Sequence, residues 1–139
     1  MRADNATAQA EVTRYVRENS ANVAINQPSR ASSTLDGLLP RYAFDRFIDT
    51  GWGSETSDNQ TLTVDLMSLY NVCKVAIIWE HASEKDYDIQ VSRYEVHWAT
   101  VWSKIDGYAK NMDTVERLLV TNVTCRYVLM KGNDISTTW

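Results

Sequence analysis

The chain is poor in the residues that announce chemistry: its 139 residues carry two cysteines, two histidines, two prolines and five glycines. Two cysteines, Cys73 and Cys125, exclude a disulfide-stapled miniprotein and a multi-cysteine zinc site. Both fall in runs that read as separate strands. One bridge between them and two buried thiols packed as small hydrophobes are equally good readings. His81 and His97 show no H-E-x-x-H spacing and have no cysteine beside them, which argues against a preformed zinc site. The glycines form no phosphate-cradling loop. Gly51-Trp52-Gly53-Ser54 is not a nucleophile elbow, because the serine follows the second glycine. Eighteen acidic residues offer many pairs, but without a fold nothing singles out a general acid and base. The chain reads as non-enzymatic.

Other classes fall away for want of charge or apolar length. A formal net charge of −4 gives no electrostatic pull towards nucleic acid or an anionic membrane. No apolar run approaches the roughly 18 residues of a membrane span. Met1 to Ala10 is polar and lacks the apolar stretch of a secretory signal, so any export signal lies outside this sequence. What is present suits one globular domain: 44% hydrophobic and 23% charged residues can build a single core. Asn5, Asn59 and Asn122 each open an N-x-Thr sequon, at a frequency near chance.

From Gln60 onward, alternation of period 2 dominates. Thr61 to Leu66, Val72 to Trp79, Asp86 to Ser92, Thr100 to Ser103, Thr114 to Val120 and Cys125 to Met130 read as six short strands. The spacers carry turn residues, such as Ser83-Glu84-Lys85 and Asp106-Gly107. Short strands with no long helix between them predict an antiparallel β-sandwich rather than a βαβ sheet. Pro40 opens at most one helical turn through Asp45. Residues 1–20 fit a helix face, a strand or a linker, and are read as an N-terminal extension ahead of a domain at 21–139.

Seven short stretches, in order, carry a family likeness. Ala21 to Ser33 (A-N-V-A-I-N-Q-P-S-R-A-S-S) resembles the N-L-A-x-x-K-P-x-x-A-S-S opening of discoidin, or coagulation-factor type C, domains and of family-32 carbohydrate-binding modules. Tyr42-Ala43-Phe44-Asp45 and Asp49-Thr50-Gly51-Trp52 are similar to A-x-D-G-N-x-x-T-x-W. Ser57 to Leu66 is similar to S-D-N-Q-W-I-x-V-D-L. Val75 to Glu80, Tyr87 to Ser92, Trp98 to Val101 and Cys125 to Val128 resemble V-x-L-x-W-E, Y-x-I-Q-V-S, W-x-x-V and A-R-Y-V. The likeness implies a galactose-binding-like jelly roll, without catalysis, whose end loops bind a ligand. Trp52 and Trp79 then read as core anchors rather than sugar platforms.

The resemblance also implies a structural calcium. Mapped by motif, Asp45 offers its carboxylate, Tyr42 and Phe47 their carbonyls, and Thr50 a carbonyl and hydroxyl, with Asp49 near by. Arg46 and Phe47 stand where the family has Gly-Asn, at a turn that wants positive φ. The family's last ligand, a glutamate in its final strand, has no counterpart among these residues. The histidine that follows the conserved tryptophan in galactose binders is Gly53 here, so galactose specificity does not carry over. Glycan-site candidates are Glu55, Glu80, His81, Lys85, Arg93, Tyr94 and Asn133, which supply planar and polar groups on loops expected at one end.

A closing strand of Y-x-L-x-E-F-E-V character is also absent from these residues, and Glu11 to Val16 is the candidate to replace it. The resulting expectation is a non-catalytic glycan-binding module. It would be extracellular, free as a small lectin or joined to a glycoside hydrolase, with no nucleic-acid partner and no membrane role. The alternative is an adhesion or lipid-surface discoidin module using a protruding Leu38-Leu39-Pro40 loop; a third reading is a degenerate fragment that binds nothing.

Overall fold

The structure, a computed structural model, describes residues 7–14, 21–47, 50–54, 59–79, 84–104 and 114–135. These residues form eight strands: β1 (Thr7–Arg14), β2 (Ala21–Asn22), β3 (Ser29–Ala31), β4 (Trp52–Gly53), β5 (Gln60–Trp79), β6 (Glu84–Ser92), β7 (Ala99–Lys104) and β8 (Thr114–Ile135). The one helical element among them is a 3-10 turn over Pro40–Ala43, with proline in its first turn as the sequence suggests. Every pairing is antiparallel, in the order β2-β1-β5-β8-β6-β7, with β3 on β5 and β4 on β1. The all-β expectation holds.

The six predicted strands correspond to four. Thr61 to Leu66 and Val72 to Trp79 are two halves of β5, and the two predicted strands between Thr114 and Met130 are parts of β8. The core explains why these long strands cannot be straight. Leu62 and Val64 from the first half of β5 line the same small apolar void as Val75 and Ile77 from the second half. A straight strand would hold Val64 and Val75 about 35 Å apart, so β5 must fold back on itself. It does so at Met67, whose φ is 68°. There β5 runs from Asp65 to Tyr70 while β8 moves only from Tyr127 to Cys125. A second irregularity, between Val72 and Lys74, places the surplus residues on β8. Bulges of this kind bend a paired strand and let one ladder serve both layers of a sandwich. Met67, Ser68 and Leu69 are exposed on the corner. Their broken alternation resembles a gap between strands, although backbone pairing resumes on either side.

Between the layers lie Trp52, Tyr87, Leu66, Ile77, Ile89 and Val12, all essentially inaccessible to solvent. Trp52 is the core anchor expected of it, and its indole N–H donates to the Ser33 carbonyl at 3.0 Å. Trp79 is placed by its pairing with Ala8 and Thr114; its side chain lies outside the described residues. Of the twenty residues read as an extension, Thr7–Arg14 form β1, which pairs with β5 from Ala8↔Trp79 to Arg14↔Val72. Glu11 to Arg14 of the candidate replacement strand are therefore in the sheet, and Tyr15 and Val16 lie outside the described residues.

The register also settles the cysteine alternatives. Cys125 faces Tyr70, which lies three residues, about 10 Å, along β5 from Cys73. That exceeds the roughly 7 Å limit for a bridge, and no disulfide joins them. Burial pushes the Cys125 thiol up to about 11, against a small opposing pull from Arg93. Below pH 9 this thiol is protonated in both folded and unfolded chains. Above it, the unfolded chain ionises first, so this group erodes stability as pH rises from about 9 to about 11. In the native protein at pH 8, Cys125 is expected to resist a thiol reagent and to react fully in denaturant. Mass-spectrometric mapping of the labelled cysteines checks this, and rapid native labelling of Cys125 would contradict the burial.

Candidate functional site

Strand register divides the loops between two ends. At the first, Gln60 pairs with Gly132 and Glu84 with Ile135. The second half of β5 reaches the same end through a chain of contacts. Ala8 pairs with both Trp79 and Trp52, Trp52 bonds the Ser33 carbonyl, and the Ser33 hydroxyl donates to the Gln60 side-chain carbonyl. Ser32 donates to the same Gln60 oxygen at 2.7 Å. At the second end lie the Met67 corner, residues 122–127 of β8 and the Arg93 to Trp98 connection between β6 and β7.

This division separates the sequence candidates. Lys85 and Asn133 occupy strand positions at the first end, while Arg93 and Tyr94 follow the last residue of β6 at the second. Seven residues of β6, 86–92, separate Lys85 from Arg93, about 25 Å along the strand. The seven candidates therefore do not form one cluster: the turns flanking a strand sit at opposite ends of a sandwich. Glu55, Glu80 and His81 lie outside the described residues.

The first end has a firm base. Ser54 and Gln60, which flank residues 55–59, are both buried. Gly53 exchanges backbone hydrogen bonds with Leu35 and Leu38. A Cβ on Gly53 would lie 2.7 Å from Leu38 Cδ1 and 3.3 Å from Leu38 Cβ. Any side chain there requires Leu38 to move. The same packing corrects the protruding-loop reading: Leu38, Leu39 and Pro40 are half-buried, and Tyr42 N–H donates to the Leu39 carbonyl.

The expected calcium donors do converge. Asp45 Oδ1 accepts from the Phe47 N–H at 2.9 Å and lies 2.8 Å from Thr50 Oγ1, with Asp45 Oδ2 at 2.6 Å. Thr50 Oγ1 also lies 3.0 Å from the Phe47 carbonyl and 3.4 Å from that of Tyr42. One hydroxyl proton thus faces four oxygen acceptors, a surplus of lone pairs that a hard cation suits. The fit is incomplete. No group of three or more acidic, histidine or cysteine side chains that could hold a metal occurs among the described residues, and Asp49 lies outside them.

Arg46, where the family has glycine, takes φ 71°. The left-handed region costs an ordinary residue about 1–2 kcal/mol, and glycine's larger unfolded-state entropy offsets part of that. Arg46→Gly is therefore expected to raise stability by about 0.5–1 kcal/mol, read as a higher urea midpoint. An unchanged or lower midpoint would contradict this.

Two ion pairs at the second end had no signal in the sequence. Arg126 grips Asp65 through Nε and Nη2 at 2.8 and 2.9 Å, and Asp65 Oδ1 also accepts the Met67 N–H at 2.7 Å. The hydrogen bond from Arg126 holds the Asp65 carboxyl below its ordinary range, against partial burial. Arg30 and Glu95 pair bidentately at 2.9 and 2.7 Å, and that bond raises the Arg30 pKa. Partners more than sixty residues apart are invisible to local pattern. Beside these pairs lies an open cleft of about 480 Å³, lined in part by Arg93, His97, Asn122 and Thr124. The sequence reading passed over His97 in that role, and treated Asn122 only as a sequon.

No helix among the described residues is long and apolar enough to cross a membrane. No curated protein matches the chain. Among solved structures, chitosan-binding module 1 from a chitosanase/glucanase of Paenibacillus sp. IK-5 is 32% identical over 84% of this chain and 89% of its own, with a TM-score of 0.77. Module 2 of the same enzyme, solved with chitotriose, is 24% identical over 84% and 90%, TM-score 0.77. A family-32 module from Clostridium perfringens, in complex with GlcNAc-α-1,4-galactose, shares 14% identity over 88% and 85%, TM-score 0.72, and so speaks for the fold alone. The F5/8 type C domain model matches residues 25–139, which takes in both ends of the sandwich and the Asp45–Thr50 loop, and the chain belongs to that family.

Proposed function

We propose that the chain is a non-catalytic carbohydrate-binding module that grips a glycan at the first end of the sandwich. The observation that carries this reading is the likeness, at 32% identity over most of both chains, to a module named for chitosan binding. The charge pattern agrees with a cationic amino sugar. Glu84, Asp86 and Asp134 occupy strand positions at that end, with Asp86 paired to Asp134, and Glu55 and Glu80 follow Ser54 and Trp79 in the sequence. In a chain of net charge −4, these acids attract glucosamine units and Lys85 opposes them. The half-buried Leu38 and Leu39 leave the lipid-surface alternative without its apolar spike.

In this reading the module is extracellular and joined to, or associated with, a glycoside hydrolase. Calcium is a structural ion held by the Asp45 carboxylate, the Tyr42 and Phe47 carbonyls and Thr50. It would firm the loop without touching the glycan. Isothermal titration with chitotriose, N-acetylated chitotriose and galactose tests the binding. Chitotriose is expected to bind best and to weaken with salt, and Glu80→Gln is expected to weaken it at least tenfold. No heat from any of the three would overturn the reading. For calcium, added Ca²⁺ should raise the melting temperature of the wild type and not of Asp45→Asn; equal melting with Ca²⁺ and with chelator would remove the ion from the account.

A further inference from the structure

We infer that the cleft at the second end is a separate carbohydrate subsite, selective for a sugar that carries a carboxylate. Its volume of about 480 Å³ falls within the roughly 300–1,000 Å³ of small-molecule sites. Its polar lining is Ser92, Arg93, His97, Asn122 and Thr124, beside the apolar side chain of Val123, and no carboxylate among the described residues lines it. Sugar faces are amphipathic in the same way, with hydroxyls at the edges and C–H groups between them.

The charge argument comes from the neighbouring ion pairs. At this end Glu95 is taken up by Arg30 and Asp65 by Arg126, each pair bidentate. Arg93 and His97 have no carboxylate partner among the described residues. Both are exposed, as is Asn122, so the groups are reachable from solvent. Arg93 thus presents a planar fork with no carboxylate on it among the described residues, the shape that matches a carboxylate through two parallel hydrogen bonds. The Asn122 amide and the Thr124 hydroxyl can take sugar hydroxyls. Ser92 Oγ accepts the Glu95 N–H at 2.9 Å, which holds the connection in place and leaves its own proton to donate. The Arg93 charge disfavours a glucosamine unit, so the two ends of the sandwich select opposite charges.

Only the choice of a sugar as the carboxylate's carrier rests on the glycan-binding reading above. The test is a two-dimensional NMR titration of the labelled full chain with digalacturonate, lactose, acetate and chitotriose. Digalacturonate is expected to shift the amide signals of Arg93, His97, Asn122 and Thr124. Arg93→Gln should weaken that binding at least tenfold, and Asn122→Ala several-fold. Both should leave the melting temperature and chitotriose affinity unchanged. Absence of those shifts, or an equal response to lactose, overturns the subsite; an equal response to acetate reduces it to an adventitious ion only. Chitotriose binding without digalacturonate binding sinks this inference alone, and the converse sinks the chitosan reading alone.

Discussion

Trp52→Ala is expected to cost about 3–5 kcal/mol, a large part of the ~5–15 kcal/mol that holds a domain of this size together. The indole is fully buried in the core, so truncation leaves a cavity that the two layers cannot close. It also removes the N–H that satisfies the Ser33 carbonyl, and Ser33 in turn holds Gln60 at the first end. Trp52→Phe separates the two contributions: it keeps most of the ring volume and loses the hydrogen bond, at about 1–2 kcal/mol. Urea denaturation followed by tyrosine and residual tryptophan fluorescence gives both values. The competing role for a tryptophan beside a glycan-binding end is a stacking platform. A Trp52→Ala variant with an unchanged urea midpoint and lost chitotriose binding would establish that role and dismiss the anchor.

Much of this architecture is legible in the chain because its causes are local. Alternation at Thr61 to Leu66 and at Asp86 to Ser92 reflects a layer with one face in the core, and both segments are strands. The spacing of Tyr42, Asp45, Phe47 and Thr50 brings four oxygen-bearing groups onto one short loop, and they converge as mapped. The fold-back of β5 is not legible, since it depends on Met67 taking a left-handed φ that methionine has no intrinsic preference for. The second end is not legible either. Asp65 meets Arg126, and Arg30 meets Glu95, only because the layers stack. Sequence alone places Arg93 and Tyr94 with Lys85, on loops expected to share one end, although Lys85 lies at the start of β6 and the other two follow it. A strand's two flanks, however, point to opposite ends, and only the register reveals which residues keep company.

The second large effect concerns β1, which lies ahead of the stretch that matches the family model. Val12 is 1% exposed and faces the same void as Leu62, Val75 and Ile89. Its N–H donates to the Asn22 side-chain carbonyl at 3.1 Å, which also accepts the Ala24 N–H at 3.0 Å. The Val23 N–H returns a bond to the Val12 carbonyl at 2.8 Å. A linker would have no reason to bury a valine or to share an asparagine with the start of the domain. Val12→Asp is therefore expected to destabilise by about 3–5 kcal/mol, because a buried carboxylate there has no partner. Val12→Thr, equal in shape with one hydroxyl, should cost about 1–3 kcal/mol. Loss of β1 also bares the β5 edge over residues 72–79, an unpaired row that favours aggregation. Hydrogen exchange is the decisive measurement: amides of residues 8–14 that pair with β5 should exchange as slowly as those of β5 itself. If they exchange at the rate of an open chain, while β5 and β8 stay protected, then β1 is an appendage and the edge of β5 is closed by something else.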